Sequence, residues 1–144
     1  MKESLIAEAH ISINAPLGNV WEALTDRNAI KEFMFGTNVE TDWKEGSPIV
    51  WKGEWQGKSY EDKGFITRYE PESVLQYTHY SPLSGLEDTR ENYHTVTITL
   101  EEEDSQVHVS LSQDKNEDEK SRNHSAKNWQ MMLDHLKAYL EKTN

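Results

Sequence analysis

Six histidines, at positions 10, 79, 94, 108, 124 and 135, are the side chains of this sequence best suited to proton transfer or metal ligation near neutral pH. They form no HExxH or HxH pair, and no carboxylate cluster lies at ligand spacing, so no metal site is expected. His10 and His108 fall on the polar parity of alternating segments. His79 and His94 share parity with inward apolar neighbours, so each is a candidate to present a neutral imidazole to a ligand or to act as an acid or base. Neither has an orienting carboxylate partner visible in the sequence. With no cysteine, no GxSxG elbow, no P-loop and no GxGxxG turn, thiol, serine-nucleophile and nucleotide-dependent chemistry lack their usual supports. No catalytic residue and no cofactor are assigned, and the reading leans away from an enzyme.

The aromatic residues offer a different chemistry. Trp51 and Trp55 share one face of an alternating segment, Tyr77 lies on another, Phe33 and Phe35 follow a helical pattern, and Trp129 sits in a terminal helical stripe. Together with His79, His94, Val109, Met132, Leu133 and Leu136 they make a candidate wall for an apolar or aromatic ligand, since such sites are largely hydrophobic with few polar groups. The plainer alternative for each aromatic is that it fills the core. Arg68, Gln113 and Glu61 enter the cavity or not according to where an irregularity falls in the strands. An inward Arg68 would require an acidic ligand head group, because buried charge must be paired; outward, which is the favoured reading, it is a solvated strand residue.

These residues need elements to place them, and the dominant one is the stretch from Asn116 to Lys142. Ala126, Trp129, Leu133, Leu136 and Leu140 recur there at spacings of three and four, with Met132 and Tyr139 widening the stripe. A helix of roughly 25 residues is about 38 Å long, longer than a typical strand, so its natural partner is a large curved sheet. Asn116 with Glu119 fits a capping box, and Glu117 and Asp118 suit the positive end of the helix.

Upstream, Leu5 to Ile13 alternates as a half-buried strand. Pro16 is placed as a first helical residue before Leu17, Val20, Trp21 and Leu24, and a second short helix runs from Asn28 to Met34. Strands are expected over Val39–Trp43, Pro48–Gln56, Ser59–Tyr69, Val74–Tyr80, Tyr93–Glu102 and Val107–Gln113. Phe65, Ile66 and Tyr69 cannot share a face of a regular strand, which predicts a bulge near Gly64. The segment from Ser81 to Glu91 is long for a hairpin loop and is a candidate lid.

Length and charge set the outer bounds. At 144 residues the chain is expected to form one domain, residues 1–144. A formal charge of −11, from 26 acidic and 15 basic residues, repels nucleic acid and anionic lipid. The start lacks the features of a signal peptide, and no apolar run approaches the roughly 18 residues of a membrane span, so a soluble, cytoplasmic protein without membrane insertion is expected. Oligomeric state is left open, edge strands being compatible with a dimer.

Particular words of the sequence carry a family resemblance. Ile13-Asn14-Ala15-Pro16 followed by Val20-Trp21-Glu22-Ala23-Leu24-Thr25-Asp26 resembles the opening signature of the SRPBCC superfamily. Gly64-Phe65-Ile66, Glu70-Pro71 and Leu75-Gln76-Tyr77-Thr78 resemble its central strand pair, and Val96-Thr97-Ile98-Thr99-Leu100-Glu101 with Trp129, Leu133, Leu136 and Leu140 complete the match. Within that superfamily the chain resembles the branch named for the activator of heat-shock-protein-90 ATPase. The resemblance implies an α+β helix-grip (START-like) fold, in which a seven-stranded curved antiparallel sheet wraps round the final helix and leaves a cavity. The aromatic wall and the absent catalytic templates favour a small hydrophobic or aromatic ligand between sheet and helix. A chaperone-associated regulator is the first alternative, and an enzyme using a cavity histidine as acid or base the second. A fold of this kind does not by itself choose among them.

Overall fold

The computed structural model describes residues 5–34, 36–55, 57–82, 87–116 and 118–142, apart from the side chains of Trp55 and Lys142. Leu5–Ile13 forms β1, in which Ala7, Ala9 and Ile13 are buried while Glu8 and His10 are exposed, the alternation read from the sequence. Leu17–Leu24 is α1, with Val20, Trp21, Ala23 and Leu24 inward. Pro16 is its N-cap and not its first helical residue: at φ −62° and ψ 147° it keeps the extended backbone of the strand it leaves. Arg27–Phe33 is α2, capped by the Asp26 carboxylate accepting from the Ala29 amide at 3.2 Å.

Six strands follow: β2 (Asn38–Thr41), β3 (Pro48–Trp55), β4 (Lys58–Glu70), β5 (Val74–His79), β6 (His94–Glu103) and β7 (Gln106–Asn116). They run as an antiparallel meander in which each pairs with the next, and β1 joins beside β7, giving the order β1-β7-β6-β5-β4-β3-β2. Since β1 and β2 occupy opposite edges, α1 and α2 must cross the width of the sheet between them. The long helix α3 (Glu119–Lys142) then closes the inner face with Met132, Leu133, Leu136 and Leu140, all buried. This is the α+β helix-grip arrangement.

Two local expectations shift. The irregularity in β4 lies between Ile66 and Arg68, not at Gly64. One extra residue there returns Tyr69 to the face of Ile66, where its ring meets Trp21 edge-on at 5.4 Å, while Phe65, next to Ile66 on the regular part of the strand, faces outward by alternation with 51% of its surface exposed. Gly64 serves close approach instead: a Cβ at that position would sit 1.7 Å from the Thr78 carbonyl oxygen.

The start of α3 also differs. Asn116 ends β7, its buried amide donating to the carbonyls of Leu5 and Gln113 at 2.9 and 3.0 Å, and α3 begins only at Glu119, too far on for Asn116 to cap. Asp118 takes that role, its carboxylate accepting from the Ser121 amide at 2.8 Å. Glu117 lies outside the described residues.

Candidate functional site

A cleft of about 420 Å³ opens between the inner face of the sheet and the first half of α3. Alternation along β3, β4 and β5 presents Trp51, then Tyr60 and Asp62, then Tyr77 and His79 to it. From the other side α3 contributes Ser125, Asn128, Trp129 and Met132, and β7 contributes Gln113. Met34 and Thr37, following α2, close one end, with Glu54 and Ser81 completing the wall.

Ring packing fixes the sheet wall. Trp51 is 5% exposed, with Tyr77 at 5.0 Å and 49° on one side and His79 edge-on at 5.1 Å and 61° on the other. Burial raises the Tyr77 phenol above its ordinary pKa, so Tyr77 stays neutral and serves as wall. Tyr60 lies across Gly53, where a Cβ would come within 2.5 Å of its hydroxyl oxygen. Thr37 donates to the Met34 carbonyl at 2.7 Å, so the 2.6 Å contact between its hydroxyl and Tyr60 has Tyr60 as donor. The Tyr60 oxygen is thereby left as an acceptor.

The polar centre is a pair. His79 Nε2 lies 2.9 Å from Asp62 Oδ2, with the two side chains 25% and 17% exposed. Assigning the hydrogen to Nε2 leaves Nδ1 of a neutral imidazole as an acceptor. The second Asp62 oxygen, Oδ1, is buried without a hydrogen-bond partner among the described residues. On the helix side the Trp129 indole N–H donates to Gln113 Oε1, which holds the indole against β7. Such an arrangement can grip a flat apolar body, donate or accept at its end, and hold an imidazole oriented for proton movement.

Among the candidate residues, Trp51, Tyr77, His79, Trp129 and Met132 come together at the cleft. Phe33, Val109, Leu133 and Leu136 lie in the packed core, each 2% exposed or less. Phe35 and the side chain of Trp55 lie outside the described residues. His94 pairs with His79 across β5 and β6, but its ring turns to the Asp114 carbonyl, 2.8 Å from Nδ1, and does not line the cleft. Arg68 is outward and bound to Glu70, and Glu61 is exposed, so of the three polar candidates only Gln113 faces the cleft.

Asp62 is the cleft residue not named from the sequence. Continuing the parity of Ile66 and Gly64 back along β4 reaches Asp62 and Tyr60, and that was the available signal. The candidate lid is described in part, residues 83–86 lying outside. Its far end is tied beside the cleft: Lys63 pairs with Asp88, Asp88 accepts from the Tyr93 hydroxyl at 2.6 Å, and Tyr93 stacks on Tyr80 at 5.2 Å. The bonds from Lys63, then Tyr93, hold the Asp88 carboxyl below its ordinary pKa. Among the described residues no three His, Asp or Glu side chains converge as metal ligands would.

Comparison with known proteins agrees with the fold. The solution structure of ChR145 from Cytophaga hutchinsonii is 56% identical, with a TM-score of 0.87 over 99% of this chain and 98% of that one. The Aha1 dimer from Colwellia psychrerythraea (19% identity, TM-score 0.75, 95% of this chain and 96% of that one) and CalU16 from Micromonospora echinospora (22%, 0.70, 96% and 87%) share the fold. No curated protein matches the chain. The sheet clasping a terminal helix, and the motifs strung along it, accord with a family model that matches residues 14–141, so the chain belongs to the family described as activator of Hsp90 ATPase homolog 1-like protein.

Proposed function

We propose that this protein binds a small apolar or aromatic molecule in the cleft between the sheet and α3. The observation that carries this reading is the cleft itself: about 420 Å³, walled by Trp51, Tyr77, Trp129 and Met132, in the range of roughly 300–1,000 Å³ usual for small-molecule sites. A flat body laid between Trp51 and Trp129 removes apolar surface from water on both faces, and the His79–Asp62 pair and Gln113 set its orientation. Tryptophan fluorescence and thermal unfolding with a panel of fatty acids, sterols, flavonoids and polyketides test it. A saturable fluorescence change and a raised melting temperature for at least one class, both lost in Trp129→Ala, are expected. A panel that moves neither signal overturns the reading.

Family membership supports a second reading, a regulator that docks on a chaperone of the heat-shock-protein-90 class. Phe65, half exposed on the outer face of the sheet, is the side chain such a contact would use. The chaperone's ATPase rate, measured with the native chain and with Phe65→Ser, decides it; a rate unmoved by the native chain ends it. The His79–Asp62 contact supports a third, acid or base catalysis on a cleft-bound substrate. Turnover retained in His79→Gln would refute that role.

A further inference from the structure

We infer that the occupant of the cleft carries a protonated amine on its apolar or aromatic body. This rests on the ligand-binding reading above and deepens it by assigning the charge of the ligand.

The polar lining is one-sided. Asp62 lies within the cleft and Glu54 at its exposed edge, while none of the described lining residues is lysine or arginine. Arg68, on the same strand as Asp62, is on the outer face and bound to Glu70. A carboxylate or phosphate ligand would therefore give up its water with no lysine or arginine to meet it and face two carboxylates of its own sign, the lining imidazole of His79 being already engaged by Asp62.

Asp62 also has an unanswered oxygen. Oδ2 is held by His79, whereas Oδ1 is buried with no donor among the described residues. A buried acceptor in this state calls for a donor, and a charged donor answers a carboxylate most strongly. An ammonium supplies N–H groups and charge together. Tyr60, whose own hydrogen is directed to Thr37, adds an acceptor and not a competing donor.

The aromatic wall points the same way. Indole and phenol faces attract a cation through their ring quadrupoles, and Trp51, Tyr77 and Trp129 stand round this cleft. A neutral alcohol could satisfy Oδ1, but it gains nothing from the ring faces or from the field of a chain with net charge −11.

The test uses three ligands on one body, naphthylethylamine, naphthylethanol and naphthylacetate, titrated by calorimetry against the whole chain at about pH 8, above the ordinary imidazole range. The amine is expected to bind about tenfold more tightly than the alcohol, with the acetate weakest. In Asp62→Asn the amine-to-alcohol ratio falls toward one, while Glu70→Gln, which removes one carboxylate from outside the cleft, preserves it. Should Asp62→Asn fail to fold, Glu54→Gln and a salt titration replace it, and both must lower amine affinity more than alcohol affinity. An alcohol that binds as tightly as the amine, or an amine advantage that survives Asp62→Asn, overturns this inference and leaves ligand binding standing. If none of the three binds while a member of the wider panel does, this inference falls alone; if the panel fails as well, both readings fall.

Discussion

Gly53 and Gly64 mark two places where another group passes through the space a methyl would fill, and they differ in what gives way. At Gly64 the obstacle is backbone, the Thr78 carbonyl at 1.7 Å, so Gly64→Ala must separate β4 from β5. At Gly53 it is the far end of a ring, the Tyr60 hydroxyl at 2.5 Å, which can swing aside. Gly64→Ala is expected to cost about 3 kcal/mol or more in chemical denaturation, and Gly53→Ala about 1 kcal/mol. Gly53→Ala should nonetheless weaken ligand binding, because moving Tyr60 changes the cleft. Equal losses of stability in the two variants would contradict this account. Both Asp62 and Arg68 lie on β4, and the position of its irregularity, between Ile66 and Arg68, puts Asp62 inward and leaves Arg68 as the solvated strand residue the sequence favoured.

At the level of elements, the contact between α3 and β1 does more than bury a greasy stripe. The edge of β1 turned away from β7 offers unpaired backbone groups, and α3 answers them with side chains. Gln130 accepts from the His10 amide at 3.3 Å and donates to the His10 carbonyl at 2.9 Å; Lys137 donates to the Ser12 carbonyl at 2.7 Å; Glu141 accepts from the Asn14 amide at 2.9 Å. A second copy therefore finds this edge occupied, and the opposite edge, β2, is only four residues long. The Asn14 amide, then Lys137, lower the pKa of the Glu141 carboxyl from its ordinary 4.5. A carboxylate whose pKa falls on folding contributes stability that is full above the ordinary value and is lost as pH falls through the folded one. Glu141→Gln should thus lower the melting temperature at pH 7, and the gap to the native chain should close as pH drops below about 4.5. A gap that persists unchanged in acid would mean the charge plays no part. At the other end of the helix, Asp118→Ala is expected to cost about 1 kcal/mol as a lost cap. Asn116→Ala should cost more, since it strips donors from two carbonyls at a buried strand end. Urea denaturation of the two variants checks the order.

Over the whole molecule, 26 acidic against 15 basic side chains leave an excess of −11 that opposes compaction. Ion pairs such as Lys52–Glu40 lie half exposed and contribute little to offset it. Raising ionic strength from about 0.01 to 0.2 M is expected to increase the melting temperature by a few degrees, because the screening length falls from about 30 Å to under 10 Å. A fall instead would show that local pairs outweigh the general repulsion. Among the described residues no helix is long and apolar enough to cross a membrane.

What the sequence by itself determined is whatever depends on neighbours along the chain. Alternation placed β1 at its observed bounds, and the spacing of Met132, Leu133, Leu136 and Leu140 gave the buried face of α3. Chain order and motif wording were enough for the helix-grip fold and its family. Only the tertiary structure decided what depends on register between strands and on contacts across the cleft. One inserted residue near Thr67 chose which β4 side chains faced inward, and the meeting of Asp62 with His79, 17 positions apart in sequence, followed from that choice. Side-chain parity has a period of two, so a single-residue slip exchanges the faces of a strand. Periodicity along one strand cannot say where its partner permits that slip.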